Sequence, residues 1–136
     1  MTRVLVIEDD LAVRRVFIAS LQRAGYRVDD TNNSTHSVML AQELQPDLIL
    51  LDLELHGLNG WAILRQLKAH SLTQHIPIIG ITTQSQLKRQ HPTDVNGFSA
   101  ILEKPFDLSS LLHWVAALTR SQATAADADT QLCCCG

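Results

Sequence analysis

A chain of 136 residues with 46% apolar and 18% charged side chains suffices for one domain with a core of its own. A formal net charge of −3 leaves no basic stripe for nucleic acid, and no apolar run approaches the roughly 18 residues a membrane span needs. The cysteines, Cys133, Cys134 and Cys135, sit together at the end of the sequence and cannot staple a core to itself.

The opening "MTRVLVIEDD" has an apolar run too short for a signal peptide, and it ends in three acids, so a cytoplasmic location is expected. Within it, "RVLVIE" (3–8) reads as a buried strand. From Leu11 to Ala24, the residues Val13, Val16, Phe17 and Leu21 fall at helical spacing. Asp10 is the expected N-cap and Gly25 the expected stop. "YRVDDT" (26–31) is a weaker strand, and Ser37, Leu40, Ala41 and Leu44 form a second helical stripe. "DLILLD" (47–52) is a strand with a wholly apolar interior. A turn at Gly57 to Gly60 leads to a third helix marked by Ile63, Leu64 and Leu67.

"IPIIGIT" (76–82) is the next strand. The segment between Thr82 and Gly97 is polar and contains Pro92, which removes an internal helical hydrogen bond, so the fourth helix is expected to be short or irregular. "AILEK" (100–104) is the last strand, and Leu108, Leu111, Leu112 and Val115 give a final helix. Strands alternating with helices predict an α/β fold: a doubly wound, five-stranded parallel sheet with helices on both faces. Residues 1–120 form the predicted domain. Residues 121–136 carry no packing stripe and read as a disordered, Cys-terminated tail.

In such a sheet, sites form outside the carboxyl ends of the strands. The first strand delivers Glu8, Asp9 and Asp10 there, the third Asp52, the fourth Thr82 and Thr83, and the fifth Lys104, followed by Pro105. Carboxylates this close repel, and a cation among them would let them stay ionised. Hard oxygen donors favour Mg²⁺. A carboxylate can also attack phosphorus to give an aspartyl phosphate, with Lys104 and a threonine hydroxyl holding the phosphoryl oxygens.

The pieces "VLVIEDD", "PDLILLDLELHGLNG", "PIIGITT" and "LEKPF", in this order and at these separations, resemble the receiver domain of two-component response regulators, which has a flavodoxin-like fold. The resemblance spans about residues 3–119. It implies Asp52 as phosphoacceptor, with Asp9 binding Mg²⁺ directly, Glu8 mainly through water, and Asp52 and the backbone carbonyl of Glu54 completing the protein ligands. It implies Thr82, rather than Thr83, as the hydroxyl on the phosphoryl group, Lys104 as its ammonium partner, and a cis Lys104–Pro105 peptide. Glu54 and Gln84 stand where receivers tune the lifetime of the phosphate, with solvated surface the alternative. The phosphodonor would be a histidine kinase or histidine phosphotransfer protein.

Three positions depart from the family. His56 replaces a usual proline, and Ile101 replaces the Tyr or Phe whose ring swings inward on phosphorylation. Pro92 interrupts a helix that commonly forms part of the output face. Asp10 reads as a helix cap before a ligand, and His56 as loop surface; the six histidines show no metal-ligand spacing. Trp61 and Trp114 are expected in packing, with Trp114 a candidate partner anchor. "CCCG" occupies the place of a prenylation box without its aliphatic residues and otherwise reads as exposed thiols. The leading reading is a stand-alone phosphoacceptor that signals through protein contacts, with only self-phosphorylation and self-dephosphorylation chemistry. The alternatives are a phosphorylation-independent interaction module of the same fold, and an aspartate-nucleophile phosphatase.

Overall fold

Strand interiors with no polar residue need cover on both faces, because side chains alternate from one face to the other. The computed structural model describes residues 2–32, 34–53, 60–82 and 97–126 and supplies that cover. In chain order its elements are β1 (Arg3–Ile7), α1 (Leu11–Arg23), β2 (Arg27–Thr31), α2 (Ser34–Leu44), β3 (Leu48–Asp52), α3 (Gly60–Ala69), β4 (Ile78–Thr82), β5 (Ala100–Glu103) and α4 (Leu108–Ala126). The five strands form one sheet in the order β2-β1-β3-β4-β5, and every neighbouring pair is parallel.

Alternation splits the strand residues between two cores. Leu5, Ile7, Ile49, Leu51 and Ile78 face one way and pack with Ala41 of α2 and Trp61, Ile63, Leu64 and Leu67 of α3. Val4, Val6, Leu48, Leu50, Ile79 and Ile81 face the other way and pack with Phe17 and Leu21 of α1 and Leu111 and Val115 of α4. The fold is therefore doubly wound, as the alternating pattern predicts.

Local signals set the helix ends. Asp10 Oδ1 accepts the Val13 N–H at 3.1 Å, which makes it the N-cap of α1. Gly25 ends that helix at φ +99°, and the amides of Gly25 and Tyr26 fold back onto the carbonyls of Gln22 and Leu21 at 3.0 Å each, the pairing of a glycine-terminated helix.

Some expectations are corrected. Val16 is exposed rather than part of the α1 stripe. Val13, Phe17 and Leu21 already define the inward line at i, i+4 and i+8, and Val16 is turned about 100° from Phe17 around the helix. The final helix does not end at residue 120 but continues to Ala126. Ala123, Ala125 and Ala126 are of the residue type with the highest helix propensity, which suits a backbone helix here. The expected fourth helix with Pro92, and the Cys133–Cys135 group, lie outside the described residues.

Candidate functional site at the sheet rim

The strand order places a switch point between β1 and β3: the chain moves outward from β1 to β2 and returns on the other side of β1 as β3. Ligand crevices of parallel α/β sheets open at this point, beyond the strand ends. Register brings the ends level. Ile7 pairs with Leu51, Asp52 with Ile81, and Thr82 with Glu103. The Lys104 N–H donates to the Thr82 carbonyl at 2.8 Å, and the Leu53 N–H to the Ile81 carbonyl at 2.9 Å. Glu8, Asp52, Thr82 and Lys104 thus emerge at one rim.

Glu8, Asp9 and Asp52 each offer a carboxylate oxygen, and these oxygens all lie within 4.8 Å of one another. Glu8 is 2% and Asp52 3% exposed, and Thr82 is fully buried. Lys104 Nζ sits 3.4 Å from Asp52 Oδ2, with its own side chain about one-third exposed at 34%. The Lys104–Pro105 peptide is cis.

Among the described residues, one ammonium faces these three carboxylates, which leaves excess negative charge in a partly desolvated place. Glu8 carries the consequence: its pKa is pushed up from 4.5 to about 8. Burial is the main cause, followed by the hydrogen bond to Asp52 and the Asp52 charge, while the Asp10 amide and Lys104 pull it down. Glu8 Oε1 accepts the Asp10 N–H at 3.0 Å. Its other oxygen, Oε2, is buried and accepts no hydrogen bond from the described residues. A buried carboxylate oxygen without a donor, beside two further oxygens, fits a hard divalent cation.

Two supports were not foreseen. Arg14 of α1 donates to the Glu8 carbonyl at 3.0 Å and pairs with Asp30 Oδ2 at 3.0 Å, tying the loop after β1 to the end of β2. Phe98 lies on β4 where Gly80 has no side chain: a Cβ there would meet its ring at 2.7 Å. Phe98 also packs edge-on against Trp61, with centroids 5.3 Å apart at 81°. A glycine inside an otherwise apolar strand is the signal that reveals such a close approach.

Ile101 pairs with Gly80 in the sheet and is partly exposed, and Pro105 is exposed. The expected roles of Glu54, His56, Thr83 and Gln84 fall outside the described residues. Trp61 is buried, as expected for packing, and Trp114 is 39% exposed. Among the described residues no helix is long and apolar enough to cross a membrane.

The response regulator receiver domain model matches residues 4–116. Protein PilH of Pseudomonas aeruginosa is 32% identical over 118 residues, covering 87% of this chain and 98% of PilH. The DNA-binding dual master transcriptional regulator RpaA of Synechocystis is 35% identical over 120 residues, 88% of this chain, but the chain spans only 50% of RpaA's length. Among solved structures, the CheY-like receiver domain from Methylobacillus flagellatus superimposes with a TM-score of 0.77 at 22% identity, covering 87% of this chain and 98% of that one. The receiver domain of a sensor histidine kinase of Pseudomonas aeruginosa, described with a magnesium ion coordinated in its active-site cleft, gives 0.76 at 26% identity, covering 87% and 97%.

Proposed function

We propose a function from one premise: the chain belongs to the response regulator receiver domain family. On this reading Asp52 accepts a phosphoryl group from a phosphohistidine on a histidine kinase or histidine phosphotransfer protein, with Mg²⁺ as cofactor. The phosphorylated receiver then signals through protein contacts. The observation that carries the reading is the cluster of Glu8, Asp9 and Asp52 oxygens within 4.8 Å, with Lys104 at 3.4 Å from Asp52.

Asp52 ends a fully buried strand, so its carboxylate is held rather than free to swing. An Oδ oxygen attacks phosphorus as the P–N bond to the donor imidazole breaks. The imidazole nitrogen keeps the electron pair and takes a proton from solvent. Lys104 balances charge on Asp52 beforehand and on the phosphoryl oxygens afterwards, and the Thr82 hydroxyl donates to one of them. Glu8, Asp9 and Asp52 would hold Mg²⁺, with the Glu54 carbonyl as a further ligand; bound there, the ion neutralises charge on the transferring group. Hydrolysis returns the carboxylate, and Glu54 and Gln84 tune its rate. No further catalytic turnover is assigned to the chain.

Acetyl phosphate with Mg²⁺ tests this directly. Intact mass should rise by one phosphoryl group in the wild type and stay unchanged in Asp52→Asn. A wild type that gains no mass, with no response to beryllofluoride, supports instead an interaction module that works without phosphorylation. Ile101, aliphatic where receivers carry a ring, favours that second reading.

A further inference from the structure

The start of α3 meets the acceptor strand with almost no space between them. A Cβ built on Gly60 would lie 2.7 Å from Leu53 Cα, 2.8 Å from the Asp52 carbonyl oxygen and 3.2 Å from the Leu53 carbonyl carbon. Ordinary carbon–carbon contact is about 3.5–4.0 Å. All three neighbours are main-chain atoms, so no rotamer change relieves the overlap. The other described glycines differ. Gly80 would meet the Phe98 ring, Gly97 the end of Leu64, and Gly25 nothing within 4 Å. Gly60 has no left-handed φ that would call for glycine, and helix propensity alone would favour alanine at this position. What the position demands is space.

We propose that Gly60 is a positioning residue for Asp52: by lacking a side chain it lets the first turn of α3 press against the Asp52–Leu53 peptide and hold the carboxylate at the rim. The proposal rests on the reading of Asp52 as phosphoacceptor. On its other side the same peptide is held by β4, through the Leu53 N–H to the Ile81 carbonyl at 2.9 Å. The ladder ends there, so α3 provides the second wall. The helix itself cannot retreat. Trp61, Ile63, Leu64 and Leu67 are all buried against the sheet, and the Trp61 ring is locked edge-on against Phe98. An added methyl would therefore push the strand end rather than the helix. A displacement of about 1 Å at a reacting group costs on the order of 100-fold in rate.

The test compares Gly60→Ala with Leu67→Ala, two turns further along α3, a core deletion that destabilises without touching the Asp52 peptide. Both are labelled with acetyl phosphate at saturating Mg²⁺, with folding monitored by circular dichroism. Gly60→Ala should lower the maximal labelling rate by about 100-fold without raising the half-saturating acetyl phosphate concentration in proportion. Folded Leu67→Ala should label like the wild type. If Gly60→Ala does not fold in buffer, trimethylamine N-oxide restores compactness and the same rates are compared there. A folded Gly60→Ala that labels at the wild-type rate overturns the proposal, as does an equal loss in Leu67→Ala. A wild type that is never labelled at Asp52 overturns the phosphoacceptor reading itself, a different outcome from labelled wild type with unaffected Gly60→Ala.

Discussion

The two ends of the sheet treat charge in opposite ways. At the end where the strands begin, Arg3 is surrounded by complementary groups: its N–H donates to Asp47 Oδ2 at 2.8 Å, Nη1 to the Leu44 carbonyl at 3.1 Å, and Nε pairs with Asp29 at 3.2 Å. At the end where the strands finish, three carboxylates cluster with Lys104 as the ammonium beside them among the described residues, and burial, then the neighbouring Asp52, push the Glu8 pKa up to about 8. The first arrangement lowers the energy of the fold. The second raises it, and tolerates the cost at the place where a cation and a phosphoryl group would relieve it. The same sheet therefore separates a stabilising end from a reactive one.

Three experiments break or sharpen this contrast, beginning with the largest effect. Lys104→Met removes the ammonium paired with Asp52, and phosphorylation of Asp52 should slow roughly 100- to 1,000-fold, measured as the labelling rate by acetyl phosphate; a loss below tenfold would remove Lys104 from the chemistry. The next is pH. Glu8 has a folded pKa of about 8 against 4.5, so between these values the folded chain binds a proton that the unfolded chain has lost. That contribution is complete below 4.5 and disappears as pH rises through 8. The urea midpoint of the metal-free protein should therefore fall from pH 5 to pH 8, and Glu8→Gln should flatten the slope. An identical slope in Glu8→Gln would show that another group titrates. Mg²⁺, which prefers the ionised acid, should bind more tightly as pH rises through the same window. The smallest effect belongs to the other end: Arg3→Ala should cost about 1 kcal/mol of stability, because its groups are partly solvent-screened, and leave the labelling rate of Asp52 untouched.

Most of the fold was legible because the signals are local. Apolar runs at Val4–Ile7, Leu48–Leu51 and Ile78–Ile81 can only be strands covered on both faces, and Asp10 and Gly25 act through chemistry confined to a single turn. Where periodicity misled, as at Val16, several lines of apolar residues were compatible with one helix and only the neighbouring strands chose among them. The end of the final helix was missed because backbone propensity in the alanine-rich segment needs no core partner. The acids and Lys104 could be placed on one rim because strand ends follow from strand assignments. Arg14 and Gly60 could not, since each matters through what it touches across the chain, and Gly80 signals a close approach without naming Phe98 as the residue that makes it.

Sequence by itself determined which residues form strands, which ends carry charge, and that Asp52 leaves a buried strand; hydrophobic period and turn chemistry act over a few residues and are written in order along the chain. Only the tertiary structure decided how near the carboxylates come, that burial beside Asp52 raises the Glu8 pKa, and that α3 leaves no room beside the Asp52 peptide. Those depend on distances of a few ångströms between segments dozens of residues apart, and at that range Coulomb energy and steric overlap change too steeply for spacing along the chain to fix them.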